Sequence, residues 1–287
     1  PQTLICGILL YVKVTADSVV LYSGFMIKWE AEMYTFTSRV RYSETDETSR
    51  LSVLGLINYM QDCSTFQSED CGVGVAYLEN SRKAWLLSSW RILIDRYPSL
   101  GEQVTAGTWS SGAKGIYGYR NFILRDQSGF DAVRAESTWF LYDIDRNIPI
   151  RVAEEDIAPY GQPEPALVFE KAPRKILVPK EMIPGRAVTV SSYQIDTNHH
   201  VNNAQYIEMA REAIPEGLVI REIRADYKQA ARLGDCVIPW VNGSQAGESV
   251  EWTVDLRSSE GNSYAVIWLK TESGYRPEQE ETGGNRE

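Results

Sequence analysis

An internal repeat limits the possible folds of this chain more than any other sequence feature. The offset between the two copies is 150 positions at Asp46 and Asp196, and it falls to 133 and then 132 because the first copy has longer loops. The chain therefore predicts two copies of one supersecondary unit. The aligned pairs are Tyr42 with Tyr193, Asp46 with Asp196, Arg50-Leu51 with His200-Val201, Leu56-Ile57 with Tyr206-Ile207, Leu100-Gly101-Glu102 with Leu233-Gly234-Asp235, and Arg125…Gly129 with Arg257…Gly261.

Each copy reads as a strand, one long helix and several further strands. In the first copy a strand at 35–42 precedes a helix from about 53 to 67, for which Ser52 is a good N-cap. A single helix among several strands buries its apolar stripe on one sheet face. The fold class is therefore α+β, with each helix wrapped by an antiparallel sheet. The other elements predicted are strands at 85–95, 103–110, 117–125, 132–143, 187–193, 221–229, 236–242, 249–257 and 263–270, and a helix at 202–213.

The ends and the middle of the chain differ in composition from the two copies. Residues 1–32 begin without Met and are expected to be an extension of doubtful origin, with an additional hairpin as the alternative. Six prolines between 151 and 186 interrupt regular structure. We therefore expect domains at 33–160 and 187–275, a linker at 161–186 and a disordered, polar tail at 276–287.

Charge and cysteine content exclude several classes of protein. A formal net charge of −10 argues against binding to nucleic acid or to an anionic membrane, both of which need a basic surface. The stretch at 4–23 is interrupted by Lys13 and Asp17, which makes it a poor membrane span. The four cysteines form no C-x-x-C pair and are sparse, so we expect reduced thiols in a cytoplasmic protein.

The segment from Asp196 to Asn203 concentrates side chains that can exchange protons or orient water at the start of a predicted helix. His200 is a candidate base, because an imidazole titrates near neutral pH. Asn198 would orient water or the imidazole, and Asp196 would hold the loop. The backbone N–H groups of Val201 and Asn202, at the start of a helix, are candidate oxyanion donors. An isolated Asp-x-Asn before a helix is more often only a turn and an N-cap.

Two sets of residues together resemble a known family. The second copy carries Asp196-x-Asn198-x-His200-Val201-Asn202-Asn203-x-x-Tyr206, and the first copy carries Ile94-Asp95-Arg96-Tyr97-Pro98, Thr108-Trp109, Arg120 and Trp139. The chain is similar in these residues to the acyl-ACP thioesterases of bacteria and plant plastids, over about residues 33–275.

This resemblance implies a tandem, or double, hotdog fold. The N-terminal hotdog is then expected to hold the acyl chain, and the C-terminal one to supply catalytic Asp196, Asn198 and His200. The implied reaction releases free fatty acid from acyl carrier protein during fatty acid biosynthesis. No cofactor is expected. A metal is not expected either, since His199 and His200 are adjacent and no cysteine lies nearby.

The chain departs from the family at two positions after Tyr227. The family's Glu and, in plants, Cys correspond here to Ala230 and Ala231, so a cysteine nucleophile is not expected and Cys236 is displaced. Gln229, Glu208 or Asp196 could replace the Glu. We favour a site that works with Asp, Asn and His alone. In the first copy Arg50 replaces His200, and an arginine stays protonated, so that copy should lack a base.

Candidate substrate contacts lie mainly in the first copy. A core role is as plausible for each of the aromatic candidates. A basic run near the predicted site could steer an acidic acyl carrier protein, or be an ordinary solvated strand face. The acyl-pocket candidates are Leu54, Ile57, Trp85, Trp109 and Trp139, and the basic run is Arg221, Arg224, Lys228 and Arg232.

Two other functions remain open from the residues. One is hydrolysis of acyl-CoA by the same fold, and the other is a non-catalytic acyl-binding protein, which Ala230 suggests. A hotdog dehydratase fits less well, because its site pattern differs. A tandem hotdog already contains the pair that single hotdogs form by dimerising, so the chain could be a monomer or a homodimer.

Overall fold

The computed structural model describes residues 33–273 and two short strands before them. These are β1 (Val12–Thr15) and β2 (Ser18–Leu21), which pair with each other antiparallel in a separate unit, residues 1–32. The other residues of the expected extension, and the tail predicted at 276–287, lie outside the described residues. The origin of the extension therefore stays a prediction.

Residues 33–273 build one antiparallel sheet of twelve strands. Ten of them follow the order β10-β12-β13-β14-β11-β4-β7-β6-β5-β3, with β8 paired to β7 and β9 paired to β12. The first copy therefore fills one half of the sheet and the second copy the other. The strands are β3 (Tyr34–Arg39), β4 (Lys83–Ile94), β5 (Gln103–Lys114), β6 (Tyr117–Asp126), β7 (Asp131–Asp143), β8 (Ile148–Pro149), β9 (Ile183–Pro184), β10 (Val188–Thr189), β11 (Leu218–Tyr227), β12 (Cys236–Ala246), β13 (Ser249–Arg257) and β14 (Ser263–Ser273).

Each half of the sheet packs on one long helix. Helix α1 (Val53–Asp70) begins after Ser52, whose Oγ accepts from the N–H of Gly55 at 3.0 Å, so the predicted N-cap is confirmed. Its counterpart α4 (Asn203–Glu212) begins after Asn202. The two helices contact each other, and their apolar faces belong to one core that runs through both halves. The predicted α+β double hotdog is confirmed.

Local differences from the predicted elements occur where the chain turns. The strand predicted at 187–193 is only β10, because a 3-10 turn, Ser192–Gln194, follows it. The corresponding turn in the first copy is Tyr42–Glu44. Tyr42 is therefore equivalent to Ser192, and its alignment with Tyr193 was wrong by one residue. Two short helices were not predicted, α2 (Val75–Asn80) and α3 (Glu154–Ile157).

The two halves join where β4 runs antiparallel to β11. Five residue pairs connect these strands, from Glu222 opposite Leu93 to Asp226 opposite Ser89. Arg91 Nε lies 2.8 Å from Glu222 Oε1, and both side chains are mostly buried. The hydroxyl of Tyr97 donates to the carbonyl of Ile220 at 2.9 Å. The sheet is therefore continuous through this seam.

The segment predicted as a linker crosses the outer face of the sheet and is attached to it along its length. Asn121 Oδ1 accepts from the N–H of Leu167 at 3.0 Å, and Asp226 Oδ2 accepts from the N–H of Ile176 at 2.9 Å. Further along, Asn242 donates to the carbonyl of Glu181 at 2.8 Å. Within the described ranges, no helix has both the length and the apolar composition to cross a bilayer.

Candidate active site

The loop before α4 is closed by the side chain and backbone of Asp196. Its Oδ1 accepts from the N–H of Asn198 at 2.8 Å and, more weakly, from the N–H of His200 at 3.4 Å. Its own N–H donates to the carbonyl of His200 at 2.8 Å. His199 takes a left-handed conformation, with φ of 60°. The loop therefore turns tightly and presents residues 198–200 on its outside.

The first copy folds into the same loop without a histidine. Asp46 Oδ1 accepts from the N–H of Thr48 at 2.8 Å, and Asp46 N–H donates to the carbonyl of Arg50 at 2.8 Å. Ser49 is left-handed, with φ of 58°, as His199 is. Because Asp46 makes these bonds where no base is present, the same bonds of Asp196 serve the loop conformation.

His200 lies on this loop in a partly buried position. Burial lowers the pKa of His200 below its ordinary value, and the positive charge of Arg232 lowers it further. The charge of Asp196 opposes this only in part. The imidazole is therefore neutral at pH 7, which is the state that can accept a proton from water.

Asn198 and His199 are both exposed on the loop. Among the described residues, no hydrogen bond is made by the Asn198 carboxamide, which leaves it available to water or substrate. His199 lies beside His200 and adds a small electrostatic contribution that lowers the pKa of His200. The role of Asn198 in orienting water or the imidazole stays a prediction, which its exposed carboxamide allows.

The predicted oxyanion donors are already used by the fold. The N–H of Val201 donates to the carbonyl of Ala231 at 2.9 Å, and the N–H of Asn202 donates to the carbonyl of Gln194 at 2.8 Å. The Asn202 side chain caps the N–H of Ala204 at 2.9 Å. Assigning the oxyanion site to Val201 and Asn202 was therefore wrong. In the described part of the chain, Asn203 carries the first N–H of α4 without an acceptor, as expected at a helix start.

The segment that would carry the family's Glu lies against the His200 loop. Ala230 is exposed, and the buried Ala231 contacts the loop through Val201 and donates from its N–H to Tyr206 Oη at 2.7 Å. A carboxylate at position 230 would thus lie near the loop.

The proposed replacements for this Glu are engaged elsewhere or exposed. Glu208 forms an ion pair with Arg211, 2.6 Å from Oε1 to Nη2, and Asp196 is occupied by its own loop. Gln229 is exposed. Cys236 is a free thiol. It is the first residue of β12, and its backbone lies opposite Thr189 of β10 in the sheet.

The sequence did not identify Gln61 as part of the site. It lies on α1, in the other hotdog, and its Nε2 is 3.4 Å from Oδ1 of the N-cap Asn202. The repeat predicts two helices side by side, but not which side chains meet between them. The contact brings the middle of α1 to the start of α4.

A cavity of about 180 Å³ opens beside α1 in the N-terminal hotdog. Trp85 and Trp139 line it, as predicted for the acyl pocket. The other three candidates do not. Ile57 is fully buried in the core, and Leu54 packs against that core. Trp109 donates from its indole N–H to the carbonyl of Pro165, on the linker side of the sheet, because neighbouring residues of a strand face opposite ways.

The basic run begins on β11 and continues beyond its end at Tyr227, and its four residues have different surroundings. Arg224 contacts the carbonyl of Pro173 beneath the linker, and Arg221 pairs with Glu272 at 2.8 Å. Both arginines are therefore engaged by the fold, and a role for them in steering a carrier protein stays a prediction. Lys228 and Arg232 are exposed, and Arg232 acts electrostatically on His200. Elsewhere in the described chain, no group of three or more His, Cys, Asp and Glu side chains is arranged to hold a metal ion.

Two family models match most of the chain. Residues 31–160 match the acyl-ACP thioesterase N-terminal domain, and residues 181–271 match the acyl-ACP thioesterase C-terminal domain. A solved structure of an oleoyl thioesterase (putative) from Lactobacillus plantarum superimposes with a TM-score of 0.77 and 21% identity. The match covers 85% of this chain and 98% of that one. The two proteins share a fold.

Curated relatives of the chain come from plants. It is 28% identical over 146 residues to a chloroplastic palmitoyl-acyl carrier protein thioesterase of Arabidopsis thaliana, covering 48% of this chain. It is 23% identical over 270 residues to a chloroplastic acyl-[acyl-carrier-protein] hydrolase of Cuphea viscosissima, covering 88% of this chain. The matches span 35% and 63% of those two relatives, less than two thirds of either length.

Proposed function

The chain belongs to the acyl-ACP thioesterase family, and on that basis we propose that it hydrolyses fatty acyl-[acyl carrier protein] to free fatty acid and carrier protein. The N-terminal hotdog, residues 33–160, would bind the acyl chain. The C-terminal hotdog, residues 187–275, would supply the catalytic groups, and residues 161–186 would link them.

One observation carries the proposal. Both copies fold the same Asp-closed loop at the start of a helix, but only the second copy places a titratable base on it, and burial keeps that base neutral. A protein that only bound lipid would need no such difference between the copies.

The chemistry assigned to His200 is general base and then general acid. Its imidazole takes a proton from water while the water oxygen bonds to the thioester carbonyl carbon. The carbonyl electrons move to oxygen, where the N–H of Asn203 and the positive end of α4 would stabilise the charge. The C–S bond then breaks, and the imidazolium returns its proton to the thiolate sulfur. Asn198 would orient the water.

Carrier recognition would use the exposed cations beside the loop. Lys228 and Arg232 lie just beyond the end of β11, where an acidic carrier protein could approach. The site would be used in a reducing cytoplasm, which is consistent with the unpaired thiols of Cys63, Cys71 and Cys236.

A comparison of carriers tests the substrate class. One saturated acyl group is offered to the wild type on acyl carrier protein and on CoA, and release of free thiol is followed. We expect kcat/KM to be at least about tenfold higher with the carrier protein, because charge complementarity raises association. Equal or better hydrolysis of acyl-CoA would favour the acyl-CoA thioesterase alternative. Bound acyl chain without turnover would favour a non-catalytic binding protein, the possibility that Ala230 suggests.

A further inference from the structure

Gln61 on α1 brings a carboxamide from the N-terminal hotdog to the start of α4. Its Nε2 lies 3.4 Å from Oδ1 of Asn202, an oxygen that also accepts from the N–H of Ala204 at 2.9 Å. Gln61 is half-buried, and its side chain makes no other hydrogen bond among the described residues. A carboxamide has two N–H donors and a carbonyl oxygen, so at least one N–H of Gln61 remains for water or substrate.

The repeat shows that this position faces the loop of the other copy. The N-caps of α1 and α4 are 150 positions apart, and the same offset relates Gln61 to Arg211. Arg211 lies within electrostatic reach of the first loop, since the hydrogen-bonded Glu208 raises the pKa of Arg211 and the charge of Asp46 raises it further. Each helix therefore directs the ninth residue after its N-cap towards the loop of the other copy.

The two equivalent side chains differ in charge and in what holds them. Arg211 is tied to its own helix by an ion pair with Glu208, 2.6 Å between Nη2 and Oε1. The residue of α1 at the position of Glu208 is Asn58, which is neutral and exposed, so Gln61 has no such restraint. The neutral donor thus faces the loop that carries the base. It can stabilise a negative charge without adding a cation that would lower the pKa of His200 further.

Two N–H groups lie at the N-cap of α4 and come from different hotdogs. The backbone N–H of Asn203 follows the cap directly and has no acceptor in residues 33–273. Nε2 of Gln61 reaches Oδ1 of the cap residue, Asn202, from the neighbouring helix. A developing oxyanion is stabilised most by preorganised donors that approach one point, and removal of one such donor costs about 10²- to 10³-fold in kcat. One backbone donor and one side-chain donor would satisfy this requirement.

We propose that Gln61 is a further catalytic residue, whose Nε2 donates to the thioester oxygen together with the N–H of Asn203 as negative charge develops there. This inference rests on the proposed function, because it places the substrate carbonyl at the start of α4. No bond to Gln61 forms or breaks, and the proton transfers through His200 are unchanged. The oxyanion receives one donor from each hotdog, so the C-terminal half alone does not contain a complete site.

The first test compares steady-state hydrolysis of one acyl-carrier-protein substrate by wild type, Gln61→Met and Gln61→Glu. Both variants lose the Nε2 donor, and glutamate keeps the size and shape of glutamine. We expect kcat to fall about 10²-fold while KM stays within about threefold, because the donor acts on charge that exists only in the transition state. Urea unfolding shows which variants are folded, and either one is sufficient. A folded variant with wild-type kcat overturns the inference.

Two control variants separate this role from helix packing. Arg211→Gln changes the equivalent position of α4, which faces the loop without a base. Asn58→Met places a methionine on α1 about one turn before Gln61. Both should keep the wild-type kcat. If either lowered kcat as strongly as Gln61→Met, the effect would arise from the packing of α1 on α4, and the proposed donor would be rejected.

The second test uses two inhibitors built on acyl-pantetheine. A trifluoromethyl ketone in place of the thioester adds water and resembles the tetrahedral intermediate, whereas a thioether has no carbonyl oxygen. In Gln61→Met the Ki of the ketone should rise about 10²-fold, and that of the thioether should stay within about threefold. Equal changes for the two inhibitors contradict the donor while leaving the proposed function intact. Absence of hydrolysis by the wild type with every acyl-carrier-protein substrate would reject the proposed function itself, and the donor with it.

Discussion

Asp196 and His200 lie four positions apart but perform different tasks. Asp46 makes the same backbone hydrogen bonds in a copy that has Arg50 in place of the histidine. The carboxylate therefore shapes the loop, and the imidazole alone brings basicity. The loop itself was predictable from the sequence because Asp196, Asn198 and His200 are close together in the chain and their order defines it; their catalytic roles stay predictions.

The charge of Arg232 sets part of the pH dependence. The base must be neutral, so kcat/KM should fall as the pH drops through the pKa of His200, which lies below its ordinary value of about 6.5. Replacing Arg232 with Gln removes a charge that lowers this pKa, so the acid limb of the pH profile should move to higher pH.

The measurement for this prediction is kcat/KM from about pH 4.5 to 8.5. Lys228→Gln is the matched control, since Lys228 does not contribute to the lowered pKa of His200. An acid limb that stays in place in Arg232→Gln, or moves to lower pH, would show that a group other than His200 titrates in the reaction.

Backbone hydrogen bonding explains why one residue-level prediction failed. A helix start offers free N–H groups in general, so Val201 and Asn202 were reasonable oxyanion donors. A comparison of the two copies in the structure shows why these N–H groups are not free. Leu51 N–H donates to the carbonyl of Pro98 at 2.8 Å, as Val201 N–H does to Ala231, so both copies use this N–H to attach the loop to a neighbouring segment.

At the scale of the elements, the Asp46 loop of the first copy is a control for substitutions in the Asp196 loop of the second copy. Asp196→Ala and Asp46→Ala remove equivalent hydrogen bonds, so each should lower the free energy of unfolding by about 1 kcal/mol. Only Asp196→Ala should impair catalysis, by about 10- to 100-fold in kcat/KM, because it displaces His200.

Urea denaturation and acyl-carrier-protein hydrolysis measure the two effects. The prediction requires similar losses of stability and different losses of activity. If Asp46→Ala reduced kcat/KM as strongly as Asp196→Ala, the two loops would share the catalytic work.

The helices and long strands were predictable because each has a strong periodic pattern, as β13 shows by beginning and ending at the predicted residues. Trp109 was misplaced because composition marks an aromatic residue as a pocket candidate, while strand alternation decides which face it occupies. Short elements such as β10 and α2 have too few residues for a pattern to form.

At the scale of the whole molecule, the pairing of β4 with β11 joins the sheets of the two hotdogs into one continuous sheet. The Arg91–Glu222 pair crosses this seam with both side chains mostly buried, and Arg91 also donates to the carbonyl of Glu170 in the linker. Arg91→Met should therefore destabilise the protein by about 3 kcal/mol, because it leaves a buried carboxylate without its partner.

Arg134→Met is the control for the seam, since the Arg134–Asp95 pair is exposed and should contribute less than about 1 kcal/mol. Urea unfolding monitored by tryptophan fluorescence and by circular dichroism should give one coincident transition for the wild type. Two separate transitions, or equal effects of the two substitutions, would mean that the halves are stabilised independently of the seam.

The contact between Gln61 and Asn202 belongs to this scale as well. No pattern within either copy identifies it, because it depends on how the two helices lie against each other. The same holds for Arg120, whose place in the cavity wall results from packing among α1, β5 and β6.

The most direct test of the central claim is the hydrolysis of acyl carrier protein substrates by wild type, His200→Ala and Cys236→Ala. If the second loop carries the base, His200→Ala should lower kcat/KM by about 10²- to 10⁴-fold while keeping the wild-type unfolding curve. Cys236→Ala should retain most of the activity. A folded His200→Ala protein with near wild-type turnover, or loss of turnover in Cys236→Ala alone, would contradict the account.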